Sequence, residues 1–105
     1  MKNINFGLIG VSGYIAPRHL QAIKNNNCVL DACVDVNDSV GIIDKYFEDC
    51  KFFNKFEPFE RYLSKSQFSN NKIDYISICS PNYLHDTHIR FALQNNCNVI
   101  CEKPV

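Results

Sequence analysis

Short, nearly unbroken apolar runs alternate along this chain with longer stretches in which apolar residues recur every three or four positions. The first kind of run reads as a strand, the second as an amphipathic helix. Five strands are expected, over residues 4–10, 29–35, 51–53, 74–80 and 98–102. All but the third are rich in Val, Ile, Leu and Cys without polar alternation, the pattern of strands covered on both faces. Four helices fall between them. The first spans 14–25 with Ile15, Leu20 and Ile23 as its stripe, and Asn25-Asn26-Asn27 offers residues that tolerate a left-handed C-cap. Asp38 or Ser39 caps the second. Pro58 suits the first turn of a third that runs to about Ser66. Asn82 caps a fourth with the stripe Leu84, His88, Phe91 and Ala92, closed by Asn95-Asn96. Strands alternating with helices in this order predict an α/β fold with a parallel sheet.

Composition narrows the class further. The chain has 105 residues, 46% of them hydrophobic and 21% charged, with no net charge, which fits one compact domain and excludes a disordered, collagenous or membrane-spanning chain. Eleven basic residues against eleven acidic ones, with no dense basic run, argue against nucleic-acid or membrane partners. The start, Met1 to Phe6, leads directly into a strand pattern without the features of a secretory signal, so a cytoplasmic location is expected. Six cysteines lack CxxC spacing, and Cys33, Cys79, Cys97 and Cys101 lie in or beside strands; they read as reduced thiols, with a cysteine-only zinc site as the alternative. No metal site is expected. Tyr46, Phe47, Phe52, Phe53, Phe56, Phe59 and Tyr62 read as a wedge of core aromatics rather than a stacking platform.

The candidate chemistry stands where strands end. Gly10-Val11-Ser12-Gly13-Tyr14-Ile15-Ala16 joins the first strand to the first helix. A glycine-bearing turn there lets backbone N–H groups and the positive end of the helix dipole meet a pyrophosphate. Gly10 makes the tight turn, Gly13 allows close approach, and Ala16 lets the helix pack near the strand, giving GxxGxxA, one residue longer than GxGxxG. An ordinary turn is the other reading. Asp35 ends the second strand 25 positions after Gly10 (from 10 to 35), where a carboxylate accepts hydrogen bonds from both ribose hydroxyls and repels a 2′-phosphate. No Arg or Lys follows it in Val36-Asn37-Asp38, so NAD is expected over NADP; a turn-capping role is the alternative. Ser80-Pro81-Asn82 and Glu102-Lys103-Pro104 stand at the carboxyl ends of the fourth and fifth strands, where open α/β folds bind ligands; the alternatives are an ordinary helix entry for the first and a polar turn for the second. His19 either bonds across the cleft or packs, His88 packs or faces solvent, and Arg18 either meets an anion or stays solvated.

A Gly-rich loop, a helix bearing a His, a strand ending near Pro-Asn and a Glu-Lys-Pro, in this order, resemble the Gfo/Idh/MocA family of nicotinamide-dependent oxidoreductases. Within it, the segments GYIAPRHLQAI, DSVGIIDKYFEDCKFF, DYISICSPNYLHDTHIRFAL and ICEKP resemble the bacterial UDP-N-acetylglucosaminuronate 3-dehydrogenase group of surface-polysaccharide (lipopolysaccharide) synthesis. The resemblance implies a Rossmann-type, doubly wound parallel sheet. It also implies an NAD site with Ser12, Gly13, Tyr14 and Ile15 on the pyrophosphate, Asp35 on the ribose, and Ser80, Pro81, Asn82 and His85 along the cofactor path. Glu102 and Lys103 would sit by the nicotinamide ribose, and Lys103 would be the catalytic residue, bonding the substrate oxygen while a sugar C3 hydride moves to NAD. The substrate would be a sugar nucleotide, and family members are usually homo-oligomers. Residues 1–105 would form the dinucleotide-binding domain, cut before the sixth strand and the substrate domain that such enzymes carry, and inactive alone. The alternatives are a catalytically silent NAD- or partner-binding module and a non-functional gene fragment.

Overall fold

The computed structural model describes residues 4–10, 16–35, 50–69, 72–80 and 84–101. In chain order these form β1 (Asn5–Ile9), α1 (Ala16–Asn25), β2 (Val29–Val34), β3 (Lys51–Phe53), α2 (Phe56–Ser66), β4 (Tyr75–Ile78), α3 (His85–Gln94) and β5 (Asn98–Cys101). The second expected helix, with Asp38 and Ser39, lies outside the described residues, as do Tyr46 and Phe47.

The five strands make one parallel sheet in the order β3-β2-β1-β4-β5. This is the Rossmann-type, doubly wound order, which reverses direction between β1 and β4. Alternating side chains send two cores to opposite faces. Leu8, Leu20, Leu30 and Cys33 gather with α1 on one face, whereas Ile76, Ile78, Phe59, Leu63 and Phe91 gather with α2 and α3 on the other. The sheet also divides the expected aromatic wedge. Phe52 packs on the α1 side, and Phe53, Phe56, Phe59 and Tyr62 on the other, where Phe56 meets Phe91 edge-on at 4.7 Å between ring centroids.

The expected left-handed helix exit is present at Asn27, φ 57°, and the helix that Asn95-Asn96 closes leaves in the same way at Asn96, φ 60°. Pro58 falls in the first turn of α2, where its missing N–H costs nothing. α3 begins at His85 with Leu84 at the N-cap and no side-chain cap bond; Asn82 lies outside the described residues. At the start of β1, buried Asn5 takes the Asp74 carboxylate on its backbone N–H at 3.0 Å and the Lys72 carbonyl on its side-chain amide at 3.1 Å. A buried amide without such partners would be costly.

One expectation fails. β5 is not covered on both faces, since Asn98 and Ile100 are exposed, Ile100 to 41%. Its apolar letters match those of a central strand, but among the described residues it pairs only with β4. The α1-side surface over β4 and β5 is a groove of about 730 Å³ lined by Phe6, Tyr75, Ser77 and Ile100 together with Arg18 and His19 of α1.

Phe59 is wholly buried among Phe53, Phe56 and Phe91, whereas Phe68 is 88% exposed. Phe59→Ala is expected to cost about 3–5 kcal/mol and Phe68→Ser less than about 0.5 kcal/mol, read from urea unfolding of the two variants.

Candidate functional site

Ladder pairing brings the carboxyl ends of β2, β1 and β4 to one level. The Gly10 N–H donates to the Val34 carbonyl at 2.9 Å, the Cys79 N–H to the Ile9 carbonyl at 2.8 Å and the Asp35 N–H to the Phe53 carbonyl at 3.1 Å. Gly10 takes φ +87°, and a Cβ there would fall 2.7 Å from the Ser80 amide nitrogen and 2.8 Å from the Cys79 carbonyl carbon. Only glycine tolerates both the conformation and this approach of one backbone to another. The glycine read as a turn-maker therefore also lets β1 and β4 meet at the point where strand order reverses.

Gly10, Asp35 and Ser80 share one hollow of about 250 Å³ with Ile9, Val34, Phe56, Leu84 and His88. Its walls are mainly apolar, with a carboxylate, a hydroxyl and an imidazole placed among them, the mix that holds a flat heterocycle and a sugar. His88 is buried, its Nδ1 2.7 Å from Ser80 Oγ and its ring stacked on Phe56 at 5.3 Å between centroids. Burial, and secondarily the charge of His85, lower the His88 pKa and keep the ring neutral.

His85 lies one step outward. Its Nε2 donates to the Ser80 carbonyl at 2.7 Å, and its Nδ1 lies within hydrogen-bond reach of Cys101 Sγ at 3.3 Å. His85 thus joins the carboxyl ends of β4 and β5, and both ring nitrogens are engaged within the protein. Ser80 is fixed from two sides, by His88 at its hydroxyl and by His85 at its carbonyl.

Of the residues expected to serve the site, Gly10, Asp35 and Ser80 come together in the hollow and His85 braces it. Ser12, Gly13, Tyr14 and Ile15 of the loop, Pro81 and Asn82, and Glu102, Lys103 and Pro104 lie outside the described residues. Ala16, expected to admit close helix packing, is fully buried beside Leu8 and Leu20. Arg18 and His19 line the groove on the α1 side rather than the hollow. The sequence marks His88 only as a packing or solvent-facing residue, and neither Phe56 nor Leu84 as part of the site. His88 at a helical spacing from Leu84 was the available signal, but the hollow they border needs the strand order to be seen.

Gly10→Ala is expected to lower unfolding stability by about 2 kcal/mol or more, because the added methyl meets backbone and the positive φ is strained. Guanidinium unfolding of the purified variant reads this directly. His88 sets a pH dependence with a defined sign. Its folded pKa lies below the ordinary 6.5, so the unfolded chain takes up a proton first and stability falls as pH drops through 6.5. Urea midpoints measured from about pH 7.5 to about 5.5 should decline in the native sequence and decline less in His88→Gln.

A model of the oxidoreductase family with an NAD-binding Rossmann fold matches residues 4–105. Among solved structures, the chain is similar to the WlbA (WbpB) dehydrogenase of Thermus thermophilus, in complex with NAD and α-ketoglutarate and in complex with NAD and UDP-GlcNAcA. The TM-score is 0.92 and the identity 46%, over 96% of this chain and 33% of that one. The WlbA dehydrogenase of Bordetella pertussis shares the fold, at 22% identity and TM-score 0.75 over 99% of this chain and 28% of that one. A D-glucoside 3-dehydrogenase of Escherichia coli (strain K12) is 52% identical over 33 residues, 31% of this chain and 9% of that protein. The chain thus spans about a third of the Thermus protein and under a tenth of the Escherichia one. On the match across residues 4–105, the chain belongs to the Gfo/Idh/MocA oxidoreductase family and forms its NAD-binding Rossmann fold.

Proposed function

We propose that this chain is the cofactor domain of an NAD-dependent dehydrogenase that oxidises a CH–OH of a sugar nucleotide, a UDP-N-acetyl-hexosaminuronate oxidised at C3 for lipopolysaccharide synthesis. The observation that carries this reading is the 46% identity over 96% of the chain to a dehydrogenase solved with NAD and UDP-GlcNAcA. The site is consistent with it. Gly10 leaves a cradle that any side chain would fill, and the hollow beside it places Asp35 and Ser80 among apolar walls.

In this reading the hollow takes the adenosine end of the cofactor. Asp35 accepts hydrogen bonds from the ribose hydroxyls, and its charge opposes a 2′-phosphate. Gly10, Ser12, Gly13, Tyr14 and Ile15 run past the pyrophosphate, whose charge is met by backbone N–H groups at the head of α1. Pro81, Asn82 and His85 border the path toward the nicotinamide end, with His85 acting through Ser80 and Cys101. NAD supplies the hydride acceptor. Lys103 is the catalytic residue, hydrogen-bonding the sugar oxygen as its proton leaves, beside Glu102 at the nicotinamide ribose. Residues that select the sugar belong to a second domain outside these 105 positions, and family practice suggests a homo-oligomer. Among the described residues no helix is long and apolar enough to cross a membrane. Six cysteines that stand as thiols rather than disulfides favour the reducing cytoplasm.

NADH fluorescence titration of the chain, with NAD and NADP as competitors, tests the cofactor assignment. Saturable binding is expected, stronger for NAD than for NADP. Asp35→Ala should weaken NADH binding by about 10–100-fold, the loss of a charge-assisted pair of hydrogen bonds, and should narrow the preference over NADP. Equal competition by NADP in the native sequence would overturn the role of Asp35. With UDP-N-acetylglucosaminuronate and NAD added, the 105 residues should bind cofactor without sustained NADH production.

A further inference from the structure

Two thiols meet on the α1 side of the sheet, away from the hollow. Cys33 lies on β2 and is wholly buried, and Cys50 stands one residue before β3, partly open to solvent. Their sulfurs share a hydrogen bond at 3.5 Å, and both reach the Lys51 carbonyl, Cys33 at 3.8 Å and Cys50 at 3.7 Å. Elsewhere Cys28 donates to the Asn26 carbonyl and Cys97 to the Ile73 carbonyl. Among the described residues, no group of three or more His, Cys, Asp or Glu side chains is arranged to hold a metal.

We propose that Cys33 and Cys50 are a redox modification site, a thiol pair that a low-molecular-weight disulfide converts to an intramolecular disulfide fastening β2 to the head of β3. The sulfurs need to close by about 1.5 Å to reach bonding distance. Cys50 can supply that movement because it precedes the ladder, in which Lys51 pairs with Ala32 and Phe52 with Cys33. The division of labour follows from environment. The Cys33 thiol is pushed far up by its hydrogen bond to Cys50, then by burial and by the charges of Cys50 and Asp35, so it holds its proton. Attack on the oxidant therefore falls to Cys50, the sulfur that solvent can reach.

The chemistry balances in two exchanges. The Cys50 sulfur, giving up its proton, attacks one sulfur of oxidised glutathione; that S–S bond breaks, a mixed disulfide forms and one glutathione leaves as the thiol. Cys33 then attacks the Cys50 sulfur, its proton passing to the second departing glutathione. Two protein thiols have lost two electrons, and one small disulfide has become two thiols. Burial of Cys33 makes the second exchange the slower one.

The test treats the full 105-residue chain under native conditions with oxidised glutathione, traps free thiols with iodoacetamide and maps peptides without reduction. The Cys33–Cys50 pair is expected at least about tenfold above any other cysteine pair, as the effective concentration of a pre-placed partner implies. Cys28 and Cys97 should be recovered alkylated. The same treatment in denaturant should spread the pairing. Cys33→Ser should stop at a mixed disulfide on Cys50, with circular dichroism confirming that the variant is folded; if it does not fold, the native map decides alone. A native map in which Cys50 carries only glutathione, pairs elsewhere, or matches the denatured distribution overturns the proposal.

Discussion

The structure depends on how closely β1 and β4 approach at their carboxyl ends. Gly10 leaves β1 at φ +87° and passes the backbone of Cys79 and Ser80 at a distance that leaves no room for a Cβ. Its N–H is meanwhile committed to Val34 of β2. One residue without a side chain therefore holds three strand ends together. These are the ends on either side of the reversal in strand order, where an open α/β sheet offers a crevice. A larger residue would separate the strands or twist the turn, and the hollow bounded by Gly10, Asp35 and Ser80 would lose its floor.

Around that contact, Ser80 links the site to its supports. Its hydroxyl meets His88 from inside α3, and its carbonyl accepts a hydrogen bond from His85 in the first turn of the same helix. The two histidines differ in environment. His88 is buried and held neutral, whereas His85 is only partly buried and reaches across to Cys101 on β5. One helix start thereby fixes the second residue after β4 in two directions and ties the end of β5 to it. The segment that leads to Glu102 and Lys103 thus departs from a strand end anchored to the same serine as the hollow.

How far the sequence disclosed this arrangement follows from which interactions are local. The helix exits at Asn27 and Asn96 and the turn at Gly10 rest on single-residue conformational preferences, and they are readable directly. The three-residue β3 is bounded as its letters suggest. The exposure of β5 is not readable, because Asn-Val-Ile-Cys carries the apolar signal of a central strand and only pairing order shows that, among the described residues, it pairs with β4 alone. Gly10 and Asp35 stand out through loop composition and spacing. His88 and Phe56 do not, since their place beside Ser80 and Asp35 arises from elements far apart in the chain. Packing and site-lining are the same act for His88, which a one-dimensional pattern cannot separate.

Phe56 shows that core and site are continuous. Its ring packs edge-on against Phe91, lies beside Phe59 in the aromatic cluster under the sheet, and stacks on His88 in the wall of the hollow. Such contacts add specific geometry to burial. The wall is therefore placed by the same side chains that close the core on the α2 and α3 side, with no separate scaffold between them. Interiors packed to crystal-like density transmit displacement rather than absorb it. A change of volume at Phe59 or Phe91 is consequently felt at His88 and, through its hydrogen bond, at Ser80. The opposite face behaves differently, because α1 covers β1 and β2 while the groove over β4 and β5 stays open.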